Sequence, residues 1–230
     1  MPAIATPLPI AAVLFDLDGT LADTAGDLTN ALNRVREGRG LSPLPVSALR
    51  AYASAGARGL LAAGLDMEST HPDYKMLRDE FLAYYAEGLS ADTTHLFDGI
   101  APLLDAIEAR SLAWGIVTNK AERYTKPVVA ALGLDARAGT IVSGDTTPHP
   151  KPRPEPLLYA ANALGLPPAA CVYVGDDLRD VVAGNAAGMP TIVAKYGYLG
   201  DPDTTSEWPA TGWIEHPLEL LAWLPERAQR

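Results

Sequence analysis

Five short apolar runs, rich in β-branched residues, constrain the fold of this chain more than any other feature. Their length and composition are typical of strands that are buried on both faces of a sheet. The runs are Ala11–Phe15, Trp114–Thr118, Thr140–Ser143, Cys171–Val174 and Thr191–Ala194. Helical patterns lie between most of them, and strands that alternate with helices favour a parallel sheet. We therefore predict an α/β fold built around a parallel sheet.

The predicted helices of this sheet follow from apolar periodicity and from their stop residues. Gly188, for example, is a good helix stop because glycine adopts the backbone conformation that ends a helix. The tail, Gly200–Gly212, is rich in turn residues. The predicted helices are Pro102–Arg110, Tyr124–Leu132, Glu155–Leu164 and Leu178–Ala187, with a last short helix over Leu218–Leu224.

Residues 25–95 interrupt this rhythm, because they carry no convincing strand. They favour helices around Asp27–Glu37, Val46–Leu65 and Asp73–Gly88, separated by glycine and proline. An all-helical block after the first strand indicates an inserted domain. We predict a helical cap domain at residues 25–95, and a core domain formed by residues 1–24 and 96–230.

The charge and the cysteine content restrict the partners. The formal net charge is -10, which disfavours nucleic acid and anionic membranes as partners. The single cysteine, Cys171, lies in an apolar run, so we expect it to be buried and the protein to work in a reducing cytosol. The apolar stretch Met1–Val13 is too short to span a bilayer and lacks a basic start. We expect a soluble, cytoplasmic monomer or homodimer.

Polar side chains follow three of the predicted strands. In parallel sheets, ligands bind outside the carboxyl ends of the strands, so these side chains are candidate functional residues. Turn formation and helix capping explain each group taken singly, but not the whole set. The groups are Asp16 and Asp18, then Thr118 and Asn119, and finally Asp176, Asp177 and Asp180.

The chemistry of these residue types points to a cation and a phosphate. Acidic residues at neighbouring strand ends repel one another, and a hard cation such as Mg²⁺ relieves that repulsion. Hydroxyl and N–H donors at the start of a helix, as at Thr118, bind phosphate well. Lys151 lies in a proline-rich loop, where a lysine is usually solvated, but here it falls between two acidic strand ends.

Together the motifs resemble those of the haloacid dehalogenase superfamily. The pattern is an Asp-x-Asp-Gly-Thr strand end at Asp16, a threonine strand end at Thr118, Lys151, and a Gly-Asp-Asp-x-x-Asp strand end at Asp176. The similarity runs from about Val13 to Val193. The insert resembles the small helical cap of the phosphoglycolate phosphatase-like subfamily. This resemblance implies a Rossmannoid core that carries a helical cap.

The resemblance also implies a role for each motif residue. Asp16 corresponds to a nucleophile that forms an aspartyl phosphate, and Asp18 to the general acid and base. Thr118 corresponds to a donor to the phosphoryl group, and Lys151 to the cation that neutralises its charge. Mg²⁺ is then bound by the carboxylates of Asp16 and Asp176 and by the backbone carbonyl of Asp18.

Other site residues are less fully specified. Asp177 and Asp180 are candidates for a further metal ligand or for support of the ligands, and the sequence does not rank them. Asn119 joins Thr118 and Lys151 as a substrate-binding residue. Arg58, in the loop-like break of the insert, is a candidate for binding an anionic part of the substrate. A solvated surface arginine is the alternative.

These roles predict a Mg²⁺-dependent phosphatase that acts on a small phosphorylated metabolite. The subfamily implies 2-phosphoglycolate as substrate. Segments 114–120 and 174–180 also resemble bacterial N-acetylmuramic acid 6-phosphate phosphatases, which makes that sugar phosphate the alternative. A phosphosugar mutase, which shares Asp18, and a non-catalytic binding module are the rival classes.

Overall fold

A parallel six-stranded sheet forms the centre of the protein. The computed structural model describes residues 10–89, 93–200 and 202–226, so part of the Met1–Val13 segment and residue 201 of the tail lie outside the described residues. The sheet has the order β5-β4-β1-β6-β7-β8, and β2 and β3 form a separate antiparallel pair. The strands are β1 (Ala12–Phe15), β2 (Ala22–Asp23), β3 (His95–Leu96), β4 (Ala113–Val117), β5 (Thr140–Val142), β6 (Cys171–Gly175), β7 (Thr191–Ala194) and β8 (Gly212–Ile214).

All five predicted strands are present, and the α/β prediction is confirmed. β1 is central and completely buried, which explains its continuous apolar sequence. The sequence prediction missed β8, which pairs with β7 at the edge of the sheet. It also missed the short pair β2 and β3, which flanks the helical insert.

Eight α-helices accompany these strands in the described part of the chain. The predicted helix Val46–Leu65 is divided by a 3₁₀ segment at Arg50–Ala55, and the predicted last helix is a 3₁₀ helix at Pro217–Ala222. The α-helices are α1 (Ala25–Glu37), α2 (Val46–Leu49), α3 (Gly56–Leu65), α4 (Tyr74–Gly88), α5 (Ile100–Ala109), α6 (Glu122–Ala131), α7 (Glu155–Ala163) and α8 (Leu178–Ala186). None of the helices in the described ranges is long and apolar enough to cross a bilayer.

The buried apolar side chains form three clusters. One fills the face of the sheet under α5 and α6, and a second fills the opposite face under α7 and α8. The second contains Cys171, which is buried as expected. The third cluster is centred on α1–α4, where Leu32 and Phe81 are fully buried, and it also contains Tyr124 of α6 and Tyr198 after β7. We call α1–α4 the helical insert; its assignment as a separate domain of residues 25–95 stays a prediction.

The register of the sheet determines where the candidate residues lie. Phe15, the last residue of β1, is paired with Ile116 of β4 and Val174 of β6. The residues that follow these strands therefore leave the sheet at the same edge. The helical insert begins close to this edge, directly after β2.

Candidate active site

Three buried polar residues meet at the carboxyl ends of β1, β4 and β6. Asp16, Thr118 and Asp176 have exposed fractions of 8%, 2% and 0%. Each directly follows its strand, and Asp16 continues the ladder by donating its N–H to the carbonyl of Val174 at 2.9 Å. The parallel register thus brings together side chains that are far apart in sequence.

Lys151 lies at the centre of this site and is almost completely buried. Its Nζ is 2.9 Å from Oδ1 of Asp16 and 2.7 Å from Oδ1 of Asp180. It also donates to the carbonyl of Val117 at 3.0 Å and to the hydroxyl of Tyr173 at 2.8 Å. Burial alone would lower the pKa of Lys151, but the two carboxylates outweigh it and raise that pKa. Asp16 and Asp180 therefore favour the charged form of Lys151.

Asp16, Asp176 and Asp180 form a buried acidic cluster in which carboxylate oxygens lie within 4.8 Å of one another. Burial, with a smaller contribution from neighbouring carboxylates, raises the pKa of Asp16 to about 7 even though Lys151 opposes the shift. Burial, Asp16 and Asp180 together raise the pKa of Asp176 well above its ordinary value. A buried set of hard oxygen donors, whose mutual repulsion Lys151 relieves only in part, fits a cation such as Mg²⁺.

Asp176 is held by three hydrogen bonds. Its Oδ1 accepts from the hydroxyl of Thr20 at 3.2 Å, and its Oδ2 accepts from the N–H of Tyr198 at 2.8 Å. Oδ2 also accepts from the hydroxyl of Ser54, a residue of the helical insert, at 3.0 Å. Gly19 has a φ of 82°, and a Cβ at that position would meet the carboxylate of Asp176. The loop after β1 therefore needs glycine beside this carboxylate.

The structure separates Asp180 from Asp177, which the sequence did not rank. Asp180 belongs to the acidic cluster, and Tyr173 donates to its Oδ1 at 3.0 Å. Asp177 caps α8 by accepting from the N–H of Arg179 at 2.8 Å, and it forms an ion pair with the same arginine. Arg179 lowers the pKa of Asp177 despite burial. Asp180 is thus the further acidic residue of the cluster, and Asp177 stabilises the start of α8.

Asp18 lies beside a lysine that the sequence analysis did not select. Nζ of Lys120 is 3.0 Å from Oδ1 of Asp18, and the hydroxyl of Thr24 donates to the same oxygen at 2.5 Å. Lys120 also donates to the hydroxyl of Tyr85, on α4, at 2.8 Å. The position of Lys120 directly after Thr118-Asn119 was the available signal, but a lysine near a helix start is usually solvated.

Thr118 and Asn119 have different local partners. The hydroxyl of Thr118 accepts from the N–H of Lys120 at 3.1 Å, so its own hydrogen can be donated elsewhere. The amide of Asn119 donates to the carbonyl of Lys151 and accepts from its N–H, both at 2.9 Å. Asn119 therefore fixes the backbone of Lys151, and direct binding of substrate by Asn119 stays a prediction.

A cavity of about 430 Å³ opens beside these residues, between the sheet edge and the helical insert. Asp16, Asp18, Thr118, Asn119 and Lys151 all contribute to its lining. The insert and α6 contribute apolar and aromatic side chains, among them Phe81, Leu82, Tyr85 and Tyr124.

Arg58 lies outside this cavity. It is exposed on α3, and the arginines that line the cavity are Arg78, Arg123 and Arg179. The anion-binding role of Arg58 is therefore not supported by its position. The interpretation as a solvated surface arginine agrees with its exposure.

Comparison with known proteins places this site in a family. Residues 13–194 match the family model of the haloacid dehalogenase-like hydrolases. The chain belongs to this family. The matched segment includes every residue of the acidic cluster together with Lys151 and Thr118.

Curated relatives are similar over most of the chain. The N-acetylmuramic acid 6-phosphate phosphatase of Pseudomonas aeruginosa is 40% identical over 210 residues, which are 91% of this chain and 92% of the relative. The phosphoglycolate phosphatase of Xanthomonas campestris is 43% identical over 218 residues, which are 93% of this chain and 95% of the relative. The two substrates considered for this chain thus both occur among relatives of comparable similarity.

Solved structures share the architecture. A crystal structure described as a predicted phosphoglycolate phosphatase from Haemophilus somnus 129pt has a TM-score of 0.79 and 26% identity, and covers 93% of this chain and 97% of its own. CbbY from Rhodobacter sphaeroides, solved in complex with phosphate, has a TM-score of 0.73 and 21% identity, and covers 93% of this chain and 99% of its own. The second likeness shows the fold alone.

Proposed function

We propose that this phosphatase hydrolyses a small phosphomonoester through a covalent aspartyl phosphate on Asp16, with Mg²⁺ as its cofactor. The observation that carries the proposal is the contact of Lys151 with Asp16 at 2.9 Å inside a buried acidic cluster. A carboxylate attacks a phosphate dianion only where positive charge offsets the repulsion between them. The buried lysine supplies part of that charge, and the donor set of the cluster fits a cation that supplies the rest.

The first step transfers the phosphoryl group to the enzyme. A carboxylate oxygen of Asp16 attacks phosphorus, the bond from phosphorus to the ester oxygen breaks, and Asp18 gives its proton to the departing alcohol. Among the described residues, no hydrogen bond reaches Oδ2 of Asp16, whereas Oδ1 accepts from Leu17 and Lys151. One oxygen of Asp16 is thus held in place, while the other is free for a ligand.

The second step regenerates Asp16. Asp18, now ionised, takes a proton from a water molecule as the water attacks phosphorus. The bond between phosphorus and Asp16 breaks, and inorganic phosphate leaves. Asp18 is then protonated and ready for the next cycle. The hydroxyl of Thr118 and the ammonium group of Lys151 stabilise the phosphoryl oxygens in both steps.

The carboxylates of Asp16 and Asp176 and the backbone carbonyl of Asp18 would hold Mg²⁺, with Asp180 as the supporting acidic residue. The bound cation would neutralise charge on the phosphoryl group and on the acidic cluster. Asp180 already accepts from Lys151 and Tyr173 on one oxygen and from the N–H of Asp177 on the other. These bonds make it a positioning residue for Lys151 rather than a primary ligand.

The helical insert acts in this proposal as a cap that closes over the leaving group. The hydroxyl of Ser54, in the insert, donates a hydrogen bond to Asp176, and the backbone carbonyl of Ser54 accepts one from Arg179 at 2.6 Å. Closure excludes bulk water from the site and brings the insert into contact with the substrate. The partner is a small phosphorylated metabolite, and a cytoplasmic location stays a prediction.

Two substrates fit the proposal, 2-phosphoglycolate and N-acetylmuramic acid 6-phosphate. The named relatives support both. The cavity volume of about 430 Å³ and the aromatic side chains of Phe81, Tyr85 and Tyr124 favour the second, because a sugar ring fills more space and presents apolar surface. A two-carbon acid would leave this part of the cavity without contacts.

Phosphate release from a panel of phosphomonoesters tests the proposal. The panel holds 2-phosphoglycolate, N-acetylmuramic acid 6-phosphate and several sugar phosphates, each with Mg²⁺ and with EDTA. We expect Mg²⁺-dependent release with one preferred substrate. Release that is unaffected by EDTA would contradict the role of the cation, and no release from any member would contradict the phosphatase.

The covalent step has its own test. Acid quenching during turnover, followed by mass spectrometry of peptides, should place a phosphoryl group on Asp16. Asp16→Asn should abolish both this modification and turnover, whereas the control Asp98→Asn, at an exposed position, should change neither. A phosphorylated residue other than Asp16 would refute the mechanism. Turnover that requires a sugar bisphosphate and yields an isomer would instead identify a mutase.

A further inference from the structure

A second buried lysine, Lys120, lies in the site and has no role in the mechanism above. Its side chain is 8% exposed, and it bonds to Asp18 and to Tyr85. Nζ also lies 4.7 Å from the centre of the Tyr85 ring. Burial opposes the charge of Lys120, but Asp18 and Tyr85 outweigh burial and raise its pKa. The cost of burying this cation is therefore offset mainly by the carboxylate of Asp18.

The two oxygens of Asp18 have different surroundings. Oδ1 is bonded to Nζ of Lys120 at 3.0 Å and to the hydroxyl of Thr24 at 2.5 Å. Among the residues that the structure describes, none donates a hydrogen bond to Oδ2. Two donors on one oxygen fix the orientation of the carboxyl group and leave the other oxygen for proton transfer at the cavity.

The partner of Lys120 on its other side belongs to the helical insert. Tyr85 lies on α4, is 2% exposed, and packs against Tyr124 of the core with the ring centres 5.5 Å apart. Lys120 thus joins a residue of the insert to the carboxyl group that exchanges protons with the substrate. With the insert moved away, Lys120 would lose the hydroxyl of Tyr85 as its second partner.

We propose that Lys120 is a positioning residue that holds Asp18 for proton transfer, and that its bond to Tyr85 makes this placement depend on closure of the insert. The proposal rests on the function proposed for Asp18. Proton transfer requires a heavy-atom distance of about 2.6–3.2 Å, and a misplacement of about 1 Å can cost about 10²-fold in rate. If Lys120 served only stability, or bound a remote anionic group of the substrate, its replacement would change kcat and KM in a different pattern.

An activated substrate separates these roles. With p-nitrophenyl phosphate, Asp16 attacks phosphorus and the bond to the aryl oxygen breaks, releasing p-nitrophenolate, which needs no proton. Hydrolysis of the aspartyl phosphate still needs Asp18 to take a proton from water. A variant with a misplaced Asp18 should therefore release one p-nitrophenolate per enzyme molecule quickly and then turn over slowly. With an alkyl phosphomonoester, both steps need Asp18, so no burst is expected.

The variants are Lys120→Met and Tyr85→Phe, with Lys126→Met and Tyr84→Phe as matched controls. Lys126 is exposed on α6, and Tyr84 is the neighbour of Tyr85 on α4. For Lys120→Met we expect the burst with p-nitrophenyl phosphate and a fall in kcat of about 10²-fold on the best substrate of the panel. Tyr85→Phe should show the same pattern with a smaller fall, and both controls should match the wild type.

Thr24→Val provides a second route if Lys120→Met fails to fold, because it removes the other donor to Oδ1 of Asp18. It should also produce the burst. An unchanged kcat with a raised KM would identify Lys120 as a substrate-binding residue and overturn the proposal, as would equal losses on both substrates without a burst. A wild-type protein that is inactive on the whole panel would instead refute the proposed function. An active wild type whose Lys120→Met and Thr24→Val variants have wild-type kinetics would refute only this inference.

Discussion

Replacing Asp16 by asparagine should abolish catalysis and at the same time stabilise the metal-free protein. The carboxyl group is buried within 4.8 Å of two others, and its pKa is about 7 in the folded protein against an ordinary value of 3.8. Each pKa unit corresponds to about 1.4 kcal/mol, so ionised Asp16 costs the fold up to about 4 kcal/mol. Asparagine keeps an acceptor for Leu17 and Lys151 and carries no charge.

The stabilisation expected from Asp16→Asn depends on pH. Because the folded pKa lies above the unfolded one, the folded state binds more protons between pH 4 and 7, and the stability of the metal-free wild type falls as the pH rises through this range. Asp16→Asn should lack the part of this fall that comes from Asp16, whereas Asp176, whose pKa is also raised, still contributes its own part. The two proteins should therefore be equally stable at about pH 4, and the variant should be more stable by up to about 4 kcal/mol at pH 8.

Urea unfolding in EDTA at both pH values measures this difference, with Asp98→Asn as the control. Mg²⁺ at 100 times its Kd should then stabilise the wild type at pH 8 by about 2.7 kcal/mol and the variant by less, because a ligand is lost. A variant that is less stable than the wild type at pH 8 would show that the charge of Asp16 is already compensated in the folded protein, which would refute the reasoning.

Three further predictions concern the groups around the acidic cluster. Lys151→Met leaves buried carboxylates without their cation and should destabilise the protein by about 3–5 kcal/mol in urea unfolding; an unchanged midpoint would contradict the pairing. Gly19→Ala should cost at least about 1–2 kcal/mol and reduce Mg²⁺ affinity in calorimetry, since its Cβ meets Asp176; unaltered affinity would count against that contact. Arg179→Met removes a hydrogen bond to the carbonyl of Ser54 and should raise KM by about tenfold in steady-state kinetics. An unchanged KM would show that Arg179 does not contribute to closure of the insert.

The sequence predicted the central strands well because they are buried on both faces. A run such as Val13-Leu14-Phe15 has few alternatives to a buried strand, and its neighbours Ile116 and Val174 are of the same kind. β8 was missed because Gly212-Trp213-Ile214 is short, begins with glycine and follows a turn-rich stretch. Its strand conformation comes from pairing with β7, which is a tertiary effect.

The site was predictable where chemistry is concentrated at strand ends, and less so where it depends on contacts across the chain. Asp16, Thr118 and Asp176 follow buried strands, and the structure brings them together. Lys120 and Ser54 could not be found in this way, because their partners are remote in sequence. Lys120 contacts Asp18, 102 residues away, and Ser54 contacts Asp176, 122 residues away. Arg58 was selected from its loop-like surroundings, and the structure shows it on an exposed helical face.

The separation of the apolar clusters has a consequence for replacing the helical insert by a different one. The two clusters on the sheet contain no buried residue of α1–α4, whereas the cluster of α1–α4 also takes in Tyr124 and Tyr198 and shares the partly buried Leu89 and Phe97 with the sheet. Much of the cavity lining that would contact the leaving group therefore comes from a unit with its own apolar interior, joined to the reacting residues through a few polar contacts. A graft of a different insert onto this sheet would have to reproduce several polar contacts, among them those of Ser54 with Asp176 and Arg179, of Tyr85 with Lys120, and of Arg50 with Asp23.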